Sequence, residues 1–236
     1  MEAKDRLIVA LDVDTYEKAE KLVDLLSPVV EVFKIGMAPF TGFGDKLIDK
    51  VHSSGKKVFL DLKFHDIPNT VKNVSKIAVS KNVFMMNFHC LGGSKMLNFA
   101  VEGVKEIVDE KNMSMPVLLG VTVLTSMSED DLQEIGLAGP VEKRVEEFVK
   151  LAKNSGMHGV VASAQEIKRI KELAGEKFIV VTPGIRPAWA VSGDQKRVKT
   201  PNQAIEDGAD YIVVGRPIIQ AEDPLDAAKK IIEEMN

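Results

Sequence analysis

The sequence predicts the α/β class and a single domain, a (β/α)8 TIM barrel spanning residues 1–236. Short apolar runs alternate with amphipathic segments along the chain, and eight such runs can be counted. Alternation of this kind is typical of a parallel sheet whose strands are joined by helices. An open, doubly wound sheet is the alternative. The barrel is preferred because the number of strand–helix units closes at eight.

The eight strand candidates are almost continuously hydrophobic, as expected for strands that are covered on both faces. In chain order they lie at residues 6–12, 30–36, 57–63, 84–90, 116–124, 159–163, 178–184 and 211–216. No change in composition and no low-complexity linker separates them. The sequence therefore predicts one continuous domain.

The segments between the strands have the apolar spacing and the start signals of helices. The spacing is seen at Tyr16, Ala19, Leu22, Val23 and Leu26, and again at Val141, Val145, Phe148, Val149 and Ala152. Two pairs are spaced as capping boxes, namely Asp14 with Glu17 and Thr200 with Gln203. Three prolines suit first-turn positions: Pro68, Pro201 and Pro224.

Composition excludes several classes of protein. The net charge is −4, which gives no reason to expect binding to nucleic acid or to an anionic membrane. Cys90 is the only cysteine, so an intrachain disulfide framework is excluded and a reducing compartment is favoured. The N-terminal segment does not resemble a signal peptide, and no apolar run has the length of a membrane span. We expect a cytoplasmic protein.

The stretch FLDLKFHDIPNTV, residues 59–71, places three charges at the end of an apolar strand: Asp61, Lys63 and Asp66. Burying an ionised group is costly unless it is paired. In a barrel of this class the active site lies at the C-terminal ends of the strands. The three charges are therefore candidate catalytic residues.

Two more charges end neighbouring strands, Asp12 on the first and Lys34 on the second. Side chains alternate along a strand, so Asp61 and Lys63 are expected to share one face. Each charge has a simpler interpretation: Asp12 as a turn residue, Asp66 as a helix cap and Lys34 as a barrel-filling ion pair. Their convergence at one end of the barrel instead predicts a paired, functional charge network.

The loops after the seventh and eighth strands predict a phosphate site, because barrels of this class often bind phosphate there. The first loop carries Arg186, and the second carries Gly215 and Arg216. Guanidinium groups suit phosphate oxygens, and a glycine lets backbone N–H groups approach an anion. The first loop is long and is expected to form a mobile lid near residues 185–200, from which Gln195 could reach a ligand.

Other chemistries find little support. Walker, dinucleotide and HExxH motifs are absent from the sequence. Cys90 is expected to be a small buried hydrophobe. His65 and His89 could ligate a metal beside the carboxylates, although their spacing is nonspecific. Lys63 lies between two carboxylates, which should favour its charged form, so it suits a fixed cation and proton donor better than a Schiff base.

The stretch at residues 59–71 resembles the signature of the orotidine 5′-phosphate decarboxylase family. Further segments are similar to family segments in the same order: IVALDVD, VFKIGM, NFHCLGG, GVTVLTSM, VVASAQE, VTPGIRP, GDQKRVKTP and DYIVVGRPI. The pattern DxKxxD is shared with related sugar-phosphate decarboxylases. Its continuation DIPNT, joined to PGIRP and VVGRP, is specific to this family.

The resemblance implies decarboxylation of orotidine 5′-phosphate to UMP in de novo pyrimidine biosynthesis, without a metal or an organic cofactor. It implies a catalytic network of Lys34, Asp61, Lys63 and Asp66, with Lys63 stabilising and protonating the anion at pyrimidine C6. The implied substrate contacts are Asp12 and Lys34 to the ribose, Asp61 to the carboxylate, Thr125 to the base, Gln195 from the lid, and Arg186, Gly215 and Arg216 to the phosphate. In a homodimer, Asp66, Ile67 and Thr70 would come from the partner.

Three rival functions use the same kind of barrel. A Mg²⁺-dependent sugar-phosphate decarboxylase would be inhibited by a chelator. An isomerase or aldolase would turn over a sugar phosphate, and an aldolase would be trapped by borohydride. A catalytically inactive nucleotide-binding protein would bind UMP without turnover, although no predicted catalytic position is disabled.

Overall fold

A computed structural model describes residues 2–190 and 199–236 of the chain. Its eight parallel strands close into a barrel in chain order, which confirms the (β/α)8 prediction and excludes the open sheet. The strands are β1 Leu7–Ala10, β2 Val32–Gly36, β3 Lys57–Phe64, β4 Met85–His89, β5 Val117–Val121, β6 Gly159–Val161, β7 Ile179–Pro183 and β8 Tyr211–Val214. Each one lies within or overlaps a predicted apolar run.

Helices occupy the connections between strands. They are α1 Ala3–Arg6, α2 Tyr16–Leu26, α3 Met37–Phe43, α4 Asp45–Ser53, α5 Pro68–Ser80, α6 Gly93–Lys111, α7 Glu129–Glu134, α8 Val141–Asn154, α9 Ile167–Ala174, α10 Pro201–Glu206, α11 Arg216–Ile219 and α12 Pro224–Glu234. Short 3₁₀ turns lie at Cys90–Gly92, Ala164–Glu166 and Ala188–Ala190. Every helix in the described part of the chain is too short or too polar to cross a bilayer.

The helix starts agree with the sequence at all but one position. The Thr200–Gln203 capping box is present, and all three prolines begin their helices. The predicted box at Asp14 is wrong, because the N-cap of α2 is Thr15, whose side chain accepts a hydrogen bond from the Lys18 N–H. The cap must directly precede the first helical residue, and that place belongs to Thr15. Asp14 instead pairs with the Lys18 ammonium at 2.7 Å.

The chain packs as two compact units, Met1–Leu62 with Thr182–Asn236, and Lys63–Val181. In the first, the largest fully buried side chains include Phe33 and Phe59. In the second they include Met85 and Phe88. Large apolar side chains on the strands therefore supply the core of each unit.

The register between β2 and β3 positions the charged residues. Lys34 lies opposite Phe59, and Gly36 lies opposite Asp61. The strands run parallel, so Asp61 lies two register positions nearer the C-terminal end than Lys34, which is the middle residue of β2. This is the end of a barrel at which active sites are built.

Candidate active site

The first element of the candidate site is an ion-pair cluster around Lys34. Its ammonium lies 3.3 Å from Asp12 Oδ1 and 3.2 Å from Asp61 Oδ2. Lys34 and Asp61 are buried, each with 8% of its surface exposed, whereas the Asp12 side chain is half-exposed. The structure brings these three residues together, and the simple turn interpretation of Asp12 does not account for its contact with Lys34.

The cluster needs the space left by Gly36. A Cβ atom added at Gly36 would lie 2.9 Å from Lys34 Nζ and 3.2 Å from Asp12 Oδ1. Both separations are below ordinary van der Waals contact, so a side chain at this position would displace the ammonium. The backbone of Gly36 has φ −85°, which any residue adopts, so the requirement for glycine here is steric.

Burial makes the cluster energetically sensitive. Removing one partner of a buried ion pair typically costs about 3–5 kcal/mol, because the remaining charge is left without compensation. Here one ammonium is held between two carboxylates at the ends of β1 and β3. Fixed, partly desolvated charges of this kind can act on charge that develops in a bound substrate.

Lys63 follows Asp61 by two residues, but its backbone is not extended. Its φ is +48°, in the left-handed region, so strict strand alternation ends before this residue. The Lys63 N–H donates to Asn87 Oδ1 at 2.8 Å, and Asn87 on β4 is fully buried. Lys63 itself is half-buried. Alternation therefore cannot be used to place its side chain on the face of Asp61.

Asp66, Ile67 and Thr70 are exposed around the start of α5. Asp66 Oδ1 accepts the N–H of the adjacent Ile67 at 2.7 Å. The N-cap of α5 is Ile67, and no side chain caps this helix start. The capping interpretation of Asp66 is therefore wrong, because Asp66 lies one residue too early to accept an N–H of the first helical turn.

Thr125 is exposed in the turn that follows β5. Its place beyond the C-terminal end of a strand agrees with the expectation for a substrate contact in a barrel. The unit that contains Thr125 also contains Lys63 and Asp66.

Two guanidinium groups form the candidate phosphate site. Burial and then the positive charge of Arg216 lower the pKa of Arg186, which places the two cations within electrostatic reach of each other. Arg186 is half-buried, whereas Arg216 is exposed and opens α11 directly after Gly215. A Cβ atom at Gly215 would lie 4.0 Å from Asp12 Oδ2, so the end of β8 lies beside the ion-pair cluster. Gln195 lies outside the described residues, as do residues 191–198 of the predicted lid as a whole.

His65 follows β3, and His89 is the last residue of β4. The rings of His65 and His89 stack with their centroids 5.5 Å apart and their planes at 25°. Burial, followed by the charges of His65 and Lys63, lowers the pKa of His89 to about 4. Within residues 2–190 and 199–236, no group of three or more His, Cys, Asp or Glu side chains could hold a metal ion.

Cys90 is buried as predicted, with 1% of its surface exposed. Burial raises the pKa of its thiol to about 12, so the thiolate that a nucleophile requires is not populated at neutral pH. The interpretation of Cys90 as a small core residue is confirmed.

Two residues that matter to the candidate catalytic lysines were not predicted: Gly36, which leaves space beside the Lys34 ammonium, and Asn87, which accepts the Lys63 N–H. Asn87 carries a signal that could have been used, because a lone amide interrupts the otherwise apolar strand MMNFH. Gly36 ends a strand two residues after Lys34, a position where a close approach of another group is common. Neither signal says which side chain makes the contact.

Comparison with known proteins identifies a family. Residues 5–231 match the model of the orotidine 5′-phosphate decarboxylase / HUMPS family. The chain is 48% identical over 236 residues to an orotidine 5′-phosphate decarboxylase of Heliobacterium modesticaldum, covering 100% of this chain and 97% of the relative. It is 50% identical over 231 residues to one of Carboxydothermus hydrogenoformans, covering 98% of this chain and 96% of the relative.

A solved structure agrees over the same length. The crystal structure of orotidine 5′-phosphate decarboxylase from Lactobacillus acidophilus superposes with a TM-score of 0.86 at 41% sequence identity. The match covers 98% of this chain and 99% of that chain. The similarity therefore extends over the whole barrel.

Proposed function

Because the chain belongs to the orotidine 5′-phosphate decarboxylase / HUMPS family, we propose that it is a carboxy-lyase that converts orotidine 5′-phosphate to UMP and CO₂. In metabolism this is the last step of de novo UMP synthesis. The observation that carries the proposal is the cluster in which the buried Lys34 is held between Asp12 and the buried Asp61. A charge cluster at the ends of barrel strands is suited to a reaction that creates and then neutralises an anion.

The proposed chemistry breaks the bond between pyrimidine C6 and its carboxylate. Carbon dioxide leaves, and the bonding electron pair stays on C6. Lys63 stabilises this carbanion by its positive charge and then donates a proton to C6, which gives UMP. Water returns a proton to the lysine before the next turnover. The enzyme therefore needs a cation fixed at C6, a role for which a positioned ammonium is suited.

Asp61 acts in this proposal next to the departing carboxylate. Its own negative charge disfavours the substrate carboxylate and does not act on neutral CO₂. Lys34 supports the role, because its ammonium stabilises the ionised form of a carboxyl group that burial alone would tend to neutralise. Asp12 and the ammonium of Lys34 are also the proposed partners of the ribose hydroxyls.

The phosphate of the substrate is assigned to Arg186, Arg216 and the backbone at Gly215. The lowered pKa of Arg186, caused first by burial and then by Arg216, supports this assignment. An anion bound between two cations relieves their mutual repulsion. Thr125 and Gln195 are the proposed contacts to the base and from the closing loop.

We propose a homodimer in which Asp66, Ile67 and Thr70 reach the partner's site. The support is exposed apolar surface along α5, since Ile67 at its N-cap and Ile77 within it are 67% and 57% exposed. Ile67, Thr70, Val74 and Ile77 follow the spacing of a single helix face. Exposed apolar side chains in such a row suit burial against a second copy of the same surface.

The single cysteine suits a reducing compartment, and we place the enzyme in the cytoplasm.

The proposed reaction uses no metal or organic cofactor. The support is that the carboxylates of Asp12 and Asp61, which could otherwise hold a divalent cation, share the Lys34 ammonium.

A spectrophotometric assay tests the proposal, with orotidine 5′-phosphate as substrate and with or without excess EDTA. Equal turnover under both conditions is expected. Loss on chelation with rescue by Mg²⁺ would assign the chain to the metal-dependent sugar-phosphate decarboxylases, and absence of turnover would refute the function.

A further inference from the structure

The backbone of Lys63 is unusual for its residue type. Among residues 2–190 and 199–236, three non-glycine residues have positive φ: Lys63, Asn82 and Asn112. Asn112 caps the end of α6, and Asn82 follows the end of α5 by two residues. Asparagine is tolerated at such positions because its short side chain fits the left-handed region. Lys63 instead lies inside β3, so neither residue type nor a helix end explains its conformation.

A left-handed residue in a strand persists only if its surroundings hold it. The observed restraint is the hydrogen bond that the Lys63 N–H donates to Asn87 Oδ1 at 2.8 Å. Asn87 is fully buried on β4, so the acceptor end of this part-buried bond is shielded from water. Its loss would leave a partly buried backbone N–H without that acceptor, which is costly.

Two further contacts join the same pair of segments. The rings of Phe64 and Phe88 lie 5.8 Å apart, and the rings of His65 and His89 lie 5.5 Å apart. Residues 63, 64 and 65 therefore contact residues 87, 88 and 89, respectively. The ring contacts fix the chain just after Lys63, and the Asn87 amide fixes Lys63 itself.

We infer that Asn87 is a positioning residue of the active site, whose amide oxygen holds the backbone of Lys63 in the left-handed conformation that aims the catalytic ammonium. The inference rests on the proposed function, because it assigns Lys63 to the reacting carbon. A small error in the position of a catalytic group can cost a large factor in rate. Asn87 does not touch the substrate in this account and acts through Lys63.

Kinetics of Asn87→Leu test the inference. Leucine has a similar size but cannot accept the hydrogen bond. We expect kcat for orotidine 5′-phosphate to fall at least ~30-fold, while the Kd of UMP changes less than about threefold, because Lys63 acts on the transition state more than on the bound nucleotide. Asn87→Asp keeps an acceptor oxygen at the same place and should retain more of kcat than the leucine variant.

Ser75→Ala is the matched control. Ser75 is also fully buried, and its hydroxyl donates to the Val71 carbonyl at 2.7 Å within α5. This variant loses a buried side-chain hydrogen bond but should keep kcat within about twofold, because the bond does not involve Lys63. An Asn87→Leu variant that is destabilised like Ser75→Ala yet keeps its kcat would overturn the inference. If the leucine variant does not fold, Asn87→Ser, whose side chain is one atom shorter, carries the same expectation and the same refutation.

Hydrogen exchange separates this inference from the proposed function. If wild-type protein does not decarboxylate orotidine 5′-phosphate, the proposed function fails. The exchange rate of the Lys63 backbone N–H still tests whether Asn87 restrains the Lys63 backbone. Protection of that amide in the wild type, with at least a ~10-fold faster exchange in Asn87→Leu, would support the restraint. An unchanged exchange rate would overturn it, whatever the substrate of the enzyme is.

Discussion

Lys34 Nζ lies 3.2 Å from Asp61 Oδ2, and only 10% and 11% of the two side chains are exposed. The pair links β2 to β3. On β3, Asp61 precedes Lys63 by two residues. Desolvation makes such a pair expensive to form, and it stabilises the site only while both partners are present. The position of the Lys34 ammonium should therefore matter to activity more than to the stability of the fold.

Gly36→Ala tests the position of that ammonium without removing a charge. The new methyl group would lie 2.9 Å from Lys34 Nζ, and the flexible end of the lysine side chain can move away. The free energy of unfolding should change by less than ~1 kcal/mol, whereas kcat/KM for orotidine 5′-phosphate should fall at least ~10-fold. Chemical denaturation and steady-state kinetics measure the two effects.

Gly42→Ala is the control for Gly36→Ala. Gly42 lies in α3, and a Cβ atom added there meets no atom within 4 Å. Alanine should leave kcat/KM unchanged and raise stability by up to ~1 kcal/mol, because glycine is a poor helix former. Full activity of Gly36→Ala would contradict the steric account of the Lys34 cluster.

Arg216→Ala tests the phosphate site. The variant should lose kcat/KM severely for orotidine 5′-phosphate, by at least ~100-fold, but hardly change the slow reaction of the nucleoside orotidine, which has no phosphate. Arg169→Ala is the matched loss of a guanidinium, because Arg169 pairs with Glu146 and Glu172 at the protein surface. It should affect neither substrate. Equal losses on both substrates in Arg216→Ala would mean that Arg216 does not act on phosphate.

His89 should make the fold less stable at acidic pH. Its pKa is lowered from 6.5 to about 4, first by burial and then by the charges of His65 and Lys63. The unfolded chain therefore binds a proton more readily than the folded one. The contribution of His89 to the free energy of unfolding is fully present above pH ~6.5 and is lost as the pH drops towards ~4. It amounts to on the order of 2 kcal/mol after allowance for partial exposure to solvent.

Urea denaturation of His89→Asn measures this contribution. Asparagine can still accept the Leu91 N–H, which His89 Nδ1 accepts at 3.3 Å, but it does not titrate. The difference in unfolding free energy between pH 7 and pH 4.5 should be smaller in the variant than in the wild type. An identical difference would show that His89 does not control the acid sensitivity.

Subunit mixing tests whether Asp66 acts across the proposed dimer interface. Homodimers of Lys63→Ala and of Asp66→Ala should both be inactive. After exchange, a hybrid would carry both lesions in one site and none in the other. Random exchange makes half of the dimers hybrids, so activity should rise to roughly a quarter of the wild-type value, by the symmetry of an isologous dimer.

Lys34→Ala mixed with Lys63→Ala is the control for that experiment. Both lysines are assigned to the same chain's site, so every hybrid site keeps one lesion and no activity should return. Recovery in the Asp66 mixture alone would support a shared site. With subunit exchange demonstrated independently, a flat trace in the Asp66 mixture would show that Asp66 acts within its own chain.

The strands were predictable because burial on both faces leaves an almost uninterrupted apolar run, as at residues 6–12 around β1. The charges at Asp12, Lys34 and Asp61 were predictable for the opposite reason, since each interrupts or ends such a run. The cap of α2 was misassigned because Asp14 and Thr15 are both good capping residues. Only the backbone conformation of Thr15 decides between them.

The conformation of Lys63 could not be predicted from the sequence. Nothing local favours a left-handed lysine, and the restraint comes from Asn87, which is 24 residues away in the chain. The need for glycine at position 36 is hidden for a similar reason. Its φ is ordinary, and the close contact with the Lys34 ammonium exists only once β2 has its place in the barrel.

Lys63 is assigned here as the cation and proton donor at C6. Steady-state decarboxylation of orotidine 5′-phosphate by wild type and Lys63→Ala, together with the Kd of UMP, tests this assignment most directly. We predict that kcat falls at least ~10³-fold while UMP binding changes far less, because the lysine acts mainly on the transition state. A Lys63→Ala variant that keeps a tenth of the wild-type kcat would contradict the account.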